Sequence, residues 1–399
     1  MSFSFANDLT IEEVRLAIAH QNALLPSPGF YEAERGDIII FNYAVAFANS
    51  FPEFTGDAVE DRRASVLREC RGLTFCAHTG KVLARKFSKF FNVNERPDVQ
   101  IHLIDWTRPH HILTKLDGSM ITPVLIDDEL QWHTKMGATD VAVPAATFAR
   151  QNPAYEAFAR SLIADGYTPN AEWTSNKQRI VLSYPEDNIV FTAARENRSG
   201  EYMPYADLRS RGAAHGVPVV EALSSTVDDI ESFIAEAREL KDAEGYVIAF
   251  TNGERYKVKA DDYVRVHRAK DALLLEKNVV AIIVNNQVDD FLALLPENDR
   301  AALTQFQEKV EVGLARSGDE IASNVADIKS RMTKKEFALT LAKNYPRTAS
   351  FIFSVWDGQN AADVLRNHVI KNIGSQTRID EVRHLWGTAR WTYGVVTGD

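Results

Sequence analysis

Apolar positions change their spacing along this chain, and the change divides it in two. Up to about residue 270 they come in short runs, rich in Ile, Val, Phe and Tyr, broken by Gly, Pro, Asn and Asp, which is the pattern of strands and hairpins. Beyond it, β-branched residues thin out after Val284 and apolar residues recur at helical spacing. That second texture predicts helices over 289–295, 301–315, 334–343, 360–368 and 379–386, with Pro346 and Asp357–Gly358 as breaks. The expected organisation is an α+β domain of antiparallel sheets with flanking helices over 1–270, then an all-helical domain over 271–399.

Within the first part, residues 8–25 read as a helix capped by Thr10 or Asp8, with Glu13 at capping-box distance from Thr10. Strands are expected over 38–47, 68–75, 131–137, 179–184 and 188–194, and the charged stretch 59–69 is a loop or a short helix. Residues 142–164 and 226–240 carry helical spacing, the second with Asp228 and Asp229 in its first turn. Asn252–Gly253 joins strands 244–250 and 255–259 as a hairpin, and alternation puts Lys257 and Lys259 on one face.

Another strand runs from His111 to Lys115 and stops at a turn made by Asp117 and Gly118, before an apolar run starting at Met120. A lysine at the rim of a turn is either a solvated hairpin residue or a nucleophile. As a nucleophile it must lose its charge, and holding it neutral near pH 7 costs roughly 4 kcal/mol unless its surroundings help. Between 81 and 90 stand Lys81, Arg85, Lys86 and Lys89 with no acid among them, interleaved with Phe87 and Phe90. Such a segment meets phosphates and a flat ring, or is a strand end with a solvated side.

The totals narrow the classes. A net charge of -10 argues against a general nucleic-acid coat and leaves room for a local basic channel. Cys70 and Cys76 have no metal-ligand spacing and suit a reducing interior. The first residues carry no leader pattern and no run is long enough to span a membrane, so a cytoplasmic, soluble protein is expected.

In order, the chain carries Glu69-Cys-Arg-Gly72, Lys89-Phe-Phe-Asn92, Lys115-Leu-Asp-Gly-Ser119, Glu172–Trp173, Glu244-Gly-Tyr-Val247 and Lys257-Val-Lys-Ala-Asp-Asp-Tyr263. This set resembles the covalent nucleotidyltransferases, and within them the ATP-dependent RNA ligases of bacteriophage T4 type. The resemblance covers about 35–270 by motif and the remainder by composition only. It implies a nucleotidyltransferase (adenylyltransferase) domain followed by a helical domain that serves RNA specificity.

The resemblance also implies roles. Lys115 would take AMP from ATP. Glu244 would hold the catalytic divalent metal, Mg²⁺ with Mn²⁺ as substitute, and Glu172 would contact the ribose or the metal shell. Lys257 and Lys259 would grip the α-phosphate, Arg71 and Lys89 the nucleotide phosphates or an RNA 5′-phosphate, and Lys135 would line the adenine side. Asp289 and Asp290 are a second metal site or ordinary first-turn acids. Lys334, Lys335, Lys343 and Arg347 are RNA contacts or solvated helix faces.

The expected substrates are single-stranded RNA ends, including a cleaved tRNA anticodon loop, beside an end-healing kinase–phosphatase. A monomer is expected, and a phage-encoded setting in a host cytoplasm. The competing classes are a DNA ligase or capping-type nucleotidyltransferase, which the lack of strand signal after Lys259 disfavours, and a non-catalytic RNA-end-binding repair scaffold, which has no use for an intact Lys115.

Overall fold

In the computed structural model, residues 4–44, 49–223, 229–340, 344–345 and 348–392 are described. Thr226, Asp228, Lys343, Pro346, Arg347 and the end of the expected 38–47 strand lie outside them. The chain forms two compact units, residues 1–264 and 265–399. The expected division at 270/271 falls inside a helix, Asp261–Leu273.

The first unit opens with α1 (Ile11–Leu24), whose N-cap Thr10 accepts from Glu13 N through its hydroxyl at 3.2 Å. The Glu13 carboxylate does not return to the cap; it holds Arg62 at 2.6 Å. Next come β1 (Phe30–Arg35), β2 (Ile38–Tyr43), α2 (Ala58–Glu69), β3 (Arg71–Cys76) and β4 (Val82–Ala84), the strands forming one antiparallel sheet in that order. The charged 59–69 stretch is thus helical, because Asp57 caps it by accepting from Val59 N and Glu60 N.

β5 (Phe91–Asn92), β6 (His110–Thr114), β7 (Ser119–Ile126) and β8 (Glu129–His133) precede helices α3 (Ala142–Gln151) and α4 (Pro153–Ala164). β9 (Tyr167–Thr174), β10 (Asn188–Glu196), α5 (Tyr205–His215), α6 (Ile230–Glu239), β11 (Gly245–Phe250) and β12 (Arg255–Lys259) complete the unit's elements, and α7 (Asp261–Leu273) starts in it and ends in the second. Two further sheets result, in the orders β10-β9-β7-β8 and β5-β12-β11-β6. Among the described strands every ladder is antiparallel except β5 with β12, where Tyr256 faces Phe91 and Lys257 faces Asn92 in parallel.

Period-two burial sets the faces. Tyr256 and Val258 of β12 and Ile248 of β11 pack into a core with α1, α2 and the first sheet, so Arg255, Lys257 and Lys259 are turned the other way. A separate core, with Phe158, Trp173 and Phe191, holds α3 and α4 on the second sheet. Beside these cores Glu69 is buried between two buried guanidiniums, Arg85 at 3.0 Å and Arg195 at 2.7 Å. Both arginines have further acceptors: Arg195 donates to the Gly200 and Lys86 carbonyls, and Arg85 to Ala6 O. A buried charge cluster stands only when so fully bonded.

The expected strand 179–184 is instead a loop. The Val181 and Leu182 amides donate to Asp117 Oδ2 at 2.7 and 2.6 Å, so a side chain takes the donors that a strand ladder would have used.

The second unit is helical, as its spacing predicts: α8 (Glu276–Val284), α9 (Val288–Leu292), α10 (Glu297–Arg331), α11 (Lys334–Thr340), α12 (Ala349–Trp356), α13 (Ala361–Ile370) and α14 (Gln376–Val382). The expected 301–315 helix lies toward the start of α10, which runs for 35 residues and buries Phe306, Val310, Leu314, Ile321 and Val325 along one stripe. Helices α5, α7, α8 and α12 arise where the pattern predicted none. Among the described residues no helix is long and apolar enough to cross a membrane.

Candidate active site

The register of the third sheet places the conspicuous lysines in two rows. Leu113, Val247 and Lys257 form one row across β6, β11 and β12. In the next, the Lys115 amide donates to Gly245 O at 2.9 Å and Gly245 pairs with Lys259. Glu244 stands just before Gly245, and its carboxylate bridges the second row: Oε2 is 2.8 Å from Lys115 Nζ and Oε1 is 2.9 Å from Lys259 Nζ. Gly245 makes that placement feasible. Its φ is +125°, and a Cβ there would lie 2.1 Å from Val258 O.

The turn after Lys115 is held from several sides. Besides the two amides of the 181–184 loop, Asp117 accepts from Tyr263 Oη at 2.7 Å, and its own amide donates to Tyr184 Oη at 2.8 Å. Asp117 is buried and fully occupied, so it orients the turn. Gly118 lies against β9, where a Cβ would come 2.3 Å from Trp173 O. That approach lets β7 start at once, pairing Met120 with Glu172.

The rows and β7–β9 enclose a cavity of about 320 Å³ lined by both sheets, with Tyr43 and Arg71 from the first. Lys115, Glu172, Lys257, Lys259, Lys89 and Arg71 all line it, together with apolar Leu113, Met120, Val220 and Val247. Charge in the cavity is unevenly matched. Among the described residues Lys89 and Lys257 have no carboxylate at ion-pair distance; Lys89 lies 4.4 Å over Phe91 and Lys257 5.4 Å over Phe90. Arg71 Nη1 is buried with no hydrogen-bond partner among the described residues. Burial, reinforced by Lys89, Arg71 and Lys259, takes the Lys257 amine down to about 7. Burial alone would raise the Tyr43 phenol, yet Arg71, Lys89 and Lys135 take it below its ordinary value. Burial, with Glu244 and Asp117 adding and Lys115 opposing, pushes the Glu172 carboxyl up to about 7.

This surplus of cations, one with an orphaned donor, fits a polyanion such as a triphosphate. Among the described residues no three or more His, Cys, Asp or Glu side chains gather into a metal site. A divalent ion would therefore need substrate oxygens beside Glu172 and Glu244, which suits Mg²⁺.

Besides Glu244, which pairs with Lys115 and Lys259, three expected site residues are not in the cavity wall. Lys135 is in the turn after β8, its Nζ 4.7 Å over the Tyr43 ring, and it is absent from the cavity wall. Asp289 and Asp290 are exposed in the first turn of α9, in the second unit. Conversely, Arg255 lines the cavity and Tyr263 anchors Asp117, and the sequence reading gives neither a role, although Tyr263 closes the last motif. The alternation that marks Lys257 and Lys259 extends to Arg255.

Comparison with known proteins places this constellation. The profile of a family described as RNA ligase matches residues 69–263, a span that includes every lysine and glutamate of the cavity. The chain is 25% identical over 288 residues to a protein of Thermovibrio ammonificans that carries an RNA ligase name, covering 69% of this chain and 74% of that protein. It is 27% identical over 259 residues to a protein of Autographa californica nuclear polyhedrosis virus named for a bifunctional polynucleotide kinase/RNA ligase, covering 59% and 36%. With RNA ligase 1 of bacteriophage TS2126 it shares 29% over 206 residues, covering 47% and 49%. The chain thus spans most of the first relative but half or less of the other two.

Proposed function

From the premise that residues 69–263 form a domain of the T4-type RNA ligase family, we propose that this protein joins RNA 5′-phosphate and 3′-hydroxyl ends at the expense of ATP, with Lys115 as the nucleophile. The observation that carries the reading is the Glu244 carboxylate shared by Lys115 and Lys259 beside Lys257, which has no acid of its own among the described residues.

The Lys115 amine attacks the α-phosphorus of ATP, and pyrophosphate leaves. Glu244 orients that amine from 2.8 Å. Lys257 and Arg71 supply donors where charge grows on the transferring phosphoryl group. A divalent cation such as Mg²⁺, held by Glu244 and Glu172 with phosphate oxygens, would neutralise charge on the leaving group. Leu113, Met120, Val220 and Val247 offer an apolar slot for the adenine. The AMP then passes to an RNA 5′-phosphate, and a 3′-hydroxyl displaces it to leave a 3′–5′ phosphodiester.

The substrate class is single-stranded RNA ends, with a cleaved tRNA anticodon loop as the specific candidate. An end-healing kinase–phosphatase is the proposed partner; the name of the viral relative joins a polynucleotide kinase to an RNA ligase. The helical unit is proposed as the module that selects the RNA. The Lys334 charge there is already engaged by Asp357 at 2.5 Å, which leaves Lys335 the better RNA contact of the two. The deciding experiment incubates the protein with ATP labelled at the α-phosphate: a covalent, acid-labile adduct forms on the native chain and is absent from Lys115→Ala. An adduct that survives in Lys115→Ala refutes the assignment.

A further inference from the structure

A second cavity, of about 640 Å³, adjoins the first within the same unit and shares Lys89, Phe90 and Arg255 with it. Its ion pairs are mostly closed. Arg68 faces Asp98 at 3.4 Å and Arg108 pairs with Glu254. The cations of its lining without a carboxylate at ion-pair distance, among the described residues, are Lys89 and Arg255, and both stand on the shared wall. Arg255 Nε is buried with no hydrogen-bond partner among the described residues, and the guanidinium lies 4.0 Å over the Tyr202 ring.

Alternation on β12 aligns Arg255 with Lys257 and Lys259, successive members standing about 6.6 Å apart along a strand. A row of cations therefore leads from the Lys115 pair to the second cavity. Past that wall the lining turns aromatic, with Phe54, Phe91 and Tyr202. Phosphates have no use for rings, whereas a nucleobase stacks on them. Within the same lining Arg68 is 7% exposed and its Nε also lacks a partner among the described residues, a spare donor for a base or sugar oxygen.

We propose that the second cavity receives the 5′-terminal nucleoside of the RNA strand while Lys89 and Arg255 hold its 5′-phosphate on the shared wall. The inference rests on the ligase reading and adds the site of the strand that accepts AMP. In that step a 5′-phosphate oxygen attacks the phosphorus of the Lys115 adenylate. The P–N bond breaks, a P–O–P bond forms, and the departing Nζ takes one proton from water.

The test uses the full chain with a 5′-phosphorylated RNA pentamer carrying a 3′ fluorophore, and its 5′-hydroxyl counterpart. Phe54→Ala removes a ring of the second cavity, and Leu103→Trp obstructs it from a side chain that is 60% exposed and tolerates replacement. Each weakens anisotropy-measured binding of the phosphorylated pentamer by about tenfold, with self-adenylylation and its KM for ATP within about twofold of the native chain. Arg255→Ala removes the preference for the phosphorylated over the 5′-hydroxyl pentamer. Native-like binding by both cavity variants overturns the proposal. So does a KM for ATP that rises in step with the loss of RNA binding, since the cavity would then serve the triphosphate tail. If the expected binding pattern appears in a chain that never self-adenylylates, the RNA site stands and the ligase reading falls.

Discussion

Lys115 Nζ lies 2.8 Å from Glu244 Oε2, while the other oxygen of the same carboxylate holds Lys259 at 2.9 Å. One acid thus sets the position of both the proposed nucleophile and a proposed phosphate-binding group. Glu244→Gln keeps the volume and removes the charge. It is expected to slow self-adenylylation by about 10²- to 10³-fold, the range seen when one oriented transition-state contact is lost. Single-turnover labelling measures it, and a rate near the native one would detach Glu244 from the chemistry.

Lys257 titrates at about 7 in the free protein, chiefly through burial and then through its cationic neighbours. Only its charged form grips a phosphate, so the competent fraction falls as pH rises through 7. KM for ATP in self-adenylylation is expected to rise roughly fivefold between pH 7 and 8, as a competent population shrinking from about half to about a tenth requires. Lys257→Arg stays charged and flattens that profile. An equally steep profile in the arginine variant would assign the titration to another group.

Glu172 carries the opposite sign. Its carboxyl is raised to about 7 by burial, with Glu244 adding and Lys115 opposing. The folded chain therefore binds a proton that the unfolded chain has released by about pH 4.5, and stability drains away as pH rises from 4.5 through 7. Glu172→Gln has nothing to ionise. Urea titrations at pH 5 and pH 8 should show the variant gaining on the native chain by on the order of 2 kcal/mol. A pH-independent difference would mean that Glu172 ionises normally in the fold.

A methyl group at position 118 would meet Trp173 O at 2.3 Å, and backbone on a paired strand cannot step aside cheaply. Gly118→Ala is expected to cost roughly 2–3 kcal/mol and to pull β7 away from β9. Thermal melts give the first effect and a rise in KM for ATP the second. Unchanged melting would show that the strands re-register without loss.

Glu69 neutralises two guanidiniums with essentially no access to water. Glu69→Ala leaves both uncompensated and is expected to cost about 3–5 kcal/mol. Denaturant unfolding of the variant measures this, and a loss under 1 kcal/mol would mean that water reaches the cluster.

The sequence carried the parts of this site that local pattern determines. Alternation along a hairpin puts Lys257 and Lys259 on one face wherever the hairpin lies, and a Lys-x-Asp-Gly turn ends a strand in any context. Asp117 exposes the limit: its partners Val181 and Leu182 are more than sixty residues away, and no local signal says that their amides turn to a carboxylate. Helix α10 runs well past the 301–315 expected of it, and its Gly313 and Gly318 do not break it. Each is a close contact instead, the first against Trp386 and the second against Ala362. The strand expected over 131–137 ends at His133, so Lys135 stands in the following turn rather than on a strand.

In the sheet β5-β12-β11-β6, the two central strands come last in the chain. A ribosome has delivered Lys115 well over a hundred residues before it delivers the strand that carries Lys257 and Lys259. Until then β6 has neither its neighbour nor the carboxylate that orients the amine, and closing so long a loop is slow. The proposed nucleophile is made early and armed late: a nascent or truncated chain ending before Glu244 carries Lys115 without the groups proposed to let it react with ATP.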